Sequence, residues 1–150
     1  MNSPTVQHIL VAHDFGEPAQ GAFEYALGLA GKLNAHVTVV HAYDLPSHGF
    51  EGLTAAAELE GHIKTAARTA LDEIVVQSRA SAVEVDAILR TGPPWSEITS
   101  AARETRADLI VVGTHGRRGL SRAMLGSVAE RVVRSAPCPV LTVHGATLEL

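Results

Sequence analysis

Short aliphatic and β-branched runs alternate along this chain with longer stretches whose apolar residues recur every three or four positions. His8-Ile-Leu-Val-Ala12 is continuously apolar and reads as a buried strand. From Glu17 to Leu33, the positions Phe23, Ala26, Leu27 and Ala30 keep the spacing of one helical face. Pro18 suits the first turn of that helix and Asn34 its stop. Residues 36–42, with Val37, Val39 and Val40, predict a second strand, and 44–52 a polar connection containing proline and glycine. Residues 55–81 form a long alanine-rich helical stretch, weakened at Gly61. Residues 83–89 alternate as a third strand, and Gly92-Pro-Pro-Trp95 opens a helix reaching about Arg106. Residues 108–112 predict a fourth strand, followed by a glycine-rich loop, a helix over 127–135 and a fifth strand over 139–143.

The order is β-α-β-α-β-α-β-α-β, which implies a parallel sheet covered by helices on both faces. Near-continuous apolar strands agree with burial on both sides. Without repeat, low-complexity segment or linker, residues 1–150 are expected to form one α/β domain, an open five-stranded parallel sheet.

Composition narrows the class. Hydrophobic residues make up 46% and charged residues 19%, too apolar for a disordered chain. Aromatics are only 4%, so valine, leucine, isoleucine and alanine must build the core. No apolar run approaches the roughly 20 residues that span a bilayer, and the polar first residues lack a signal-like apolar region. Cys138 is the single cysteine, which excludes an internal disulfide framework and suits a reducing, cytoplasmic setting.

A net charge of −4 argues against general nucleic-acid affinity. Its distribution says more. Residues 1–60 hold seven acids and one base, Lys32, whereas 113–150 hold Arg117, Arg118, Arg122, Arg131 and Arg134 against Glu130 and Glu149. Basic charge therefore gathers where the glycines also cluster.

In open parallel sheets, ligands bind beyond the carboxyl ends of strands where the strand order reverses. A 3-2-1-4-5 order would make Asp14 and the loop from Gly113 neighbours. That loop carries Gly113, Gly116, Gly119 and Gly126, and glycine permits positive φ and close approach of backbone N–H groups to an anion. Ser127-Val-Ala-Glu130 has the form of a capping box, which predicts a helix start at Ser127 whose free N–H groups face phosphate. Arg117 and Arg118 could add charge-assisted bonds. The same residues also fit a long surface loop with ordinary glycine turns leading into a well-capped helix.

Other phosphate motifs are absent. There is no G-x-x-x-x-G-K-[ST], and the G-x-x-G-x-x-G spacing follows the fourth strand, unlike a dinucleotide fingerprint after the first. His13-Asp14 and Arg90-Thr91-Gly92 carry no acidic cluster of the kind a phosphoacceptor domain needs for Mg²⁺.

Gly113-x2-Gly116-x9-Gly126-Ser127 resembles the nucleotide-binding signature of universal stress proteins, specifically the ATP-binding subgroup with G-2x-G-9x-G-[S/T]. The similarity extends over nearly the whole chain, through the Ile9-to-Phe15 segment, Val40-His-Ala42, Gly92-Pro-Pro and Cys138-Pro-Val-Leu-Thr-Val143. It implies an adenine nucleotide alpha hydrolase-like fold, ATP as ligand, and a homodimer. By position it implies that Ala12 and Asp14 hold the adenosine part and that Ala42 lines the adenine pocket through its backbone. Val112 and Gly113 would pass beneath the ribose, and His115, Gly116 and Arg117 would face the phosphates. Gly126, Ser127 and Val128 would close over them. The family often has a larger valine where Ala42 stands, so adenine packing should differ here.

Each role has a simpler rival. Asp14-Phe-Gly-Glu17 also has capping-box form, and His115 can be read as a polar loop residue. Eight histidines invite a metal, but none lie in an HxxxH pair on a helix; Mg²⁺ is expected only on the triphosphate. Cys138 and Trp95 read as packing residues. Val140, Leu141 and Val143 make an apolar run on what should be a sheet edge, and pairing of two copies through this strand would bury it. A fold-back of residues 147–150 is the alternative cover.

No general base is paired with a nucleophile. The chain is therefore read as a nucleotide-dependent regulator in the stress response, with slow ATP hydrolysis at most and an unidentified protein partner. The alternatives are an ATPase or adenylyl-transfer enzyme with true turnover, and a structural module with an empty loop.

Overall fold

The computed structural model describes residues 3–45, 53–114 and 125–144. In chain order the elements are β1 (His8–Ala12), α1 (Glu17–Leu33), β2 (His36–Tyr43), α2 (Leu53–Ser78), β3 (Val85–Thr91), α3 (Pro94–Thr105), β4 (Leu109–Gly113), α4 (Ser127–Ser135) and β5 (Val140–Val143). The strands form one sheet in the order β3-β2-β1-β4-β5, and every pairing is parallel. The alternation of apolar runs with helical spacing therefore folds as the sequence predicts.

Element ends follow local chemistry. Asn34 and Arg106 adopt the left-handed conformation (φ 56° and 54°) that closes α1 and α3. Pro18 and Pro94 sit in first turns, where a missing N–H costs nothing. β4 begins one residue later than predicted because the carboxylate of Asp108 accepts the N–H groups of Gln7 and His8 at 2.9 and 3.0 Å. The long helix ends at Ser78, where the Ser78 hydroxyl donates to the Val75 carbonyl and 79–81 turn away.

Two apolar layers sandwich the sheet. Alternate strand positions Ile9, Val11, Val37, Val39 and Val111 pack against Ala22, Phe23, Ala26 and Ala30 of α1 and Leu71 and Ile74 of α2. Leu10, Val40, Ile110 and Val112 point the other way, onto Ile98, Ala101 and Ala102 of α3 and Ala129 and Val132 of α4. Each fully buried valine, leucine or isoleucine contributes about 1.5–3 kcal/mol. Trp95 and Cys138 pack beside the second layer as expected, with the Arg131 guanidinium 5.4 Å from the Trp95 ring centroid. β5 is an edge strand in which Val143 is buried while Val140 and Leu141 are half-buried. None of the described helices is long and apolar enough to cross a membrane.

Candidate functional site

Because β1 lies between β2 and β4, the carboxyl ends of these three strands meet at one place, and chain direction diverges there to either side. Ala12 and Asp14 follow from β1, Ala42 stands near the end of β2, Val112 and Gly113 close β4, and Gly126, Ser127 and Val128 begin α4. The sheet order thus brings these predicted positions to the same edge. His115, Gly116 and Arg117, with Arg118 and Arg122, lie outside the described residues.

The loop after β1 is tightly tied. Asp14 Oδ1 accepts the N–H of Gly16 at 2.9 Å, and Gly16 is the N-cap of α1. The capping box expected at Asp14 and Glu17 is therefore not made; Asp14 closes a two-residue turn outside the helix instead. Among the described residues its Oδ2 takes no hydrogen bond, leaving a half-buried acceptor at the crevice. Between them, Phe15 adopts φ 66°, which is costly for a residue with a Cβ.

His13 and His41 shape the floor. Within β2, Val37 N–H donates to Glu84 C=O just before β3 and Tyr43 C=O accepts from Gly92 just after it, so odd positions serve β3. His36 N–H and Val40 C=O bond to Gln7 and His13, so even positions serve β1. The next rung on that side would run from Ala42 N–H to the His13 carbonyl. It is not formed: His41 Nδ1–H donates to that carbonyl at 2.7 Å. The N–H and C=O of Ala42 are thereby directed into the crevice beyond the end of β1, an adjacent donor and acceptor. Phe15 lies against His41, with ring centroids 4.2 Å apart.

The opposite wall is α4. Its N-cap is Gly126 (φ −61°, ψ 155°), and no side chain caps the helix. The expected Ser127–Glu130 capping box fails because the helix takes Ser127 as its first residue. Glu130 then falls one position too late and pairs with Arg134 at 2.8 Å. The N–H groups of Ser127, Val128 and Ala129 precede the first intrahelical bond, from Glu130 N–H to Gly126 C=O. They can hold an anion.

Neither described glycine of the β4–α4 connection needs positive φ; among the described glycines only Gly92 does, at 140°. A Cβ on Gly113 would instead meet the Pro18 carbonyl oxygen at 3.0 Å and its carbon at 3.1 Å. Its glycine lets the first turn of α1 seat on the end of β4. Thr114, which sequence reasoning passed over, is buried and binds Val143 C=O through its N–H at 3.0 Å. No local pattern marks it, since its partners lie far along the chain.

At the other end of the sheet, the His8 and His36 rings stack 4.0 Å apart. Thr38 Oγ1 lies 2.7 Å from His8 Nε2 and 2.5 Å from Asp86 Oδ1. This cluster is remote from the crevice, and no group of three metal-ligating side chains occurs among the described residues.

Comparison with known proteins agrees with this architecture. The model of the universal stress protein family matches residues 5–144. A universal stress protein of Methanocaldococcus jannaschii, MJ0531, is 34% identical over 138 residues, spanning 90% of this chain and 80% of the relative. The structure of the universal stress protein UspA from Lactobacillus plantarum superposes with a TM-score of 0.85 at 26% identity, covering 94% and 99% of the two chains. A universal stress protein solved in complex with cAMP superposes at 0.67 with 25% identity, covering 94% and 98%.

Proposed function

The chain belongs to the universal stress protein family, and from that premise we propose that it binds an adenine nucleotide, ATP, at the crevice where β1, β2 and β4 end. The observation that carries the reading is the unmade rung at Ala42. An adenine edge offers an amino donor beside a ring acceptor, and the C=O and N–H of Ala42 complement that pair. Asp14 Oδ2 supplies an acceptor for ribose hydroxyls, with Ala12, Val112 and Gly113 as the surface beneath the sugar. The first-turn N–H groups at Ser127 and Val128, with Gly126, suit a phosphate. His115, Gly116 and Arg117 complete the phosphate contacts in this reading. The cAMP-bound relative supports an adenine nucleotide as the ligand class. Mg²⁺ would be carried by the triphosphate oxygens.

When bound, the nucleotide would supply a polyanion, which the first-turn N–H groups of α4 would hold while Asp14 orients the sugar. We assign regulation in the stress response, with slow hydrolysis at most. The β5 edge, with Val140, Leu141 and Val143, would pair two copies, and an unidentified protein partner would read the occupied state. Melting the protein with and without Mg-ATP tests the reading, because a ligand that binds only the folded state raises Tm by mass action. No shift at millimolar nucleotide overturns it. Timed phosphate release above about 1 s⁻¹ would assign an enzyme, an ATPase or adenylyl transferase, instead.

A further inference from the structure

We propose that His13 is the positioning residue of the nucleotide crevice, holding the Asp14 loop through a neutral imidazole and making ligand affinity fall in acid. The inference rests on the nucleotide reading above for its ligand, but its geometry stands apart from it.

All four polar groups of His13 are committed. Its N–H donates to Val40 C=O at 2.9 Å, and its carbonyl accepts His41 Nδ1–H at 2.7 Å. Its ring Nδ1 lies 2.9 Å from the backbone nitrogen of Phe15. A backbone N–H can only donate, so Nδ1 must be the unprotonated acceptor. The proton therefore sits on Nε2, which donates to Gln20 Oε1 at 3.2 Å. Gln20 is turned to present that oxygen because its Nε2 donates to Glu24 Oε1 at 3.3 Å.

The bond to Phe15 holds the one residue of this loop in left-handed backbone, between Asp14 and the N-cap of α1. A proton added at Nδ1 removes the acceptor and sets two donors against each other. The left-handed turn then loses its tie, and Asp14 with it.

His13 is 5% exposed and packs against Phe15 and against Phe23 of α1. The charged and titratable groups facing it are Asp14 on its own loop and His41 from β2, with Glu24 of α1 behind Gln20. Burial pushes the imidazole below its usual value and His41 adds to this, against the opposing pull of Gln20 and Asp14. The neutral form is therefore the one present at neutral pH.

The test is Mg-ATP affinity between pH 8 and pH 5 for the wild type, His13→Asn and His13→Leu, with Phe15 amide NMR on the nucleotide-free protein. Asparagine places an acceptor oxygen where Nδ1 stands and does not titrate in this range. His13→Leu should bind weakly at every pH, and His13→Asn should recover much of the loss at pH 8. Relative to His13→Asn, the wild type should weaken about tenfold per pH unit below the His13 midpoint. The Phe15 amide should move with the same midpoint in the wild type alone. Parallel pH profiles for wild type and His13→Asn, or a Phe15 amide that does not titrate, overturn the proposal. No binding by the wild type at pH 8 overturns the nucleotide reading itself, and the crevice role with it.

Discussion

The carbonyl of Thr114 accepts the N–H of Gly126 at 2.7 Å. The end of β4 and the N-cap of α4 therefore meet at a single point. Thr114 is anchored in turn to Val143 of β5, and its hydroxyl lies 3.2 Å from His144 Nδ1. The sheet thus fixes where the first-turn N–H groups of α4 stand.

Gly126→Val should abolish Mg-ATP binding while the protein stays folded. The φ and ψ of Gly126 are open to any residue, so the substitution tests close approach of a ligand and not backbone conformation. Calorimetric titration beside a circular dichroism melt checks it. Full affinity in a folded variant would place the phosphates elsewhere.

Ser127→Ala separates ligand binding from capping. The Ser127 side chain makes no cap bond, so unfolding free energy should change by less than about 0.5 kcal/mol. Nucleotide affinity should fall by on the order of 1–3 kcal/mol for the lost hydroxyl. A large loss of stability with unchanged affinity would reverse these roles.

Gly113→Ala should destabilise the protein by roughly 1–3 kcal/mol, because the backbone of Pro18 must give way to the new methyl. Urea unfolding measures this. Unchanged stability would mean that the first turn of α1 yields freely.

These positions show how far the sequence carried. Asn34 and Pro18 announced the ends of α1 because capping is decided by a residue and its immediate neighbours. The order of elements and both apolar layers followed from the period of the runs, whereas the strand order rested on the habit of open parallel sheets. Gly113 was singled out for its missing Cβ, yet what it makes room for is Pro18, ninety-five positions earlier in the chain. The His41 bond to the His13 carbonyl depends on the register of β1 against β2, which no local pattern encodes. The Ser127 capping box failed for a subtler reason: a one-residue shift of the helix start removes Glu130 from the position that reaches back.

Stability should fall on acidification. Burial lowers His8, aided by His36, and burial lowers His13, aided by His41, so both rings titrate below 6.5 in the folded protein. A depressed folded value means that the unfolded chain binds the proton first. Their contribution is full above about pH 7.5 and declines as pH drops below 6.5 towards the folded values. Urea midpoints at pH 7.5 and 5.5 should decrease in that order; a higher midpoint at pH 5.5 would contradict the sign.

Cys138 should resist alkylation. Burial raises its thiol above the usual 9.0, and the nearby Asp108 carboxylate pushes the same way. Iodoacetamide at pH 7.5 should label the native protein much more slowly than the urea-unfolded chain. Equal rates would mean that the β5 end of the second layer opens readily.

Amide chemical-shift mapping during titration with Mg-ATP tests the nucleotide crevice most directly. Saturable shifts should concentrate at Asp14, Ala42, Ser127 and Val128 and leave the His8–His36 end of the sheet unmoved. Shifts centred on His8 and His36, or none at saturating nucleotide, would contradict a site at the carboxyl ends of β1, β2 and β4.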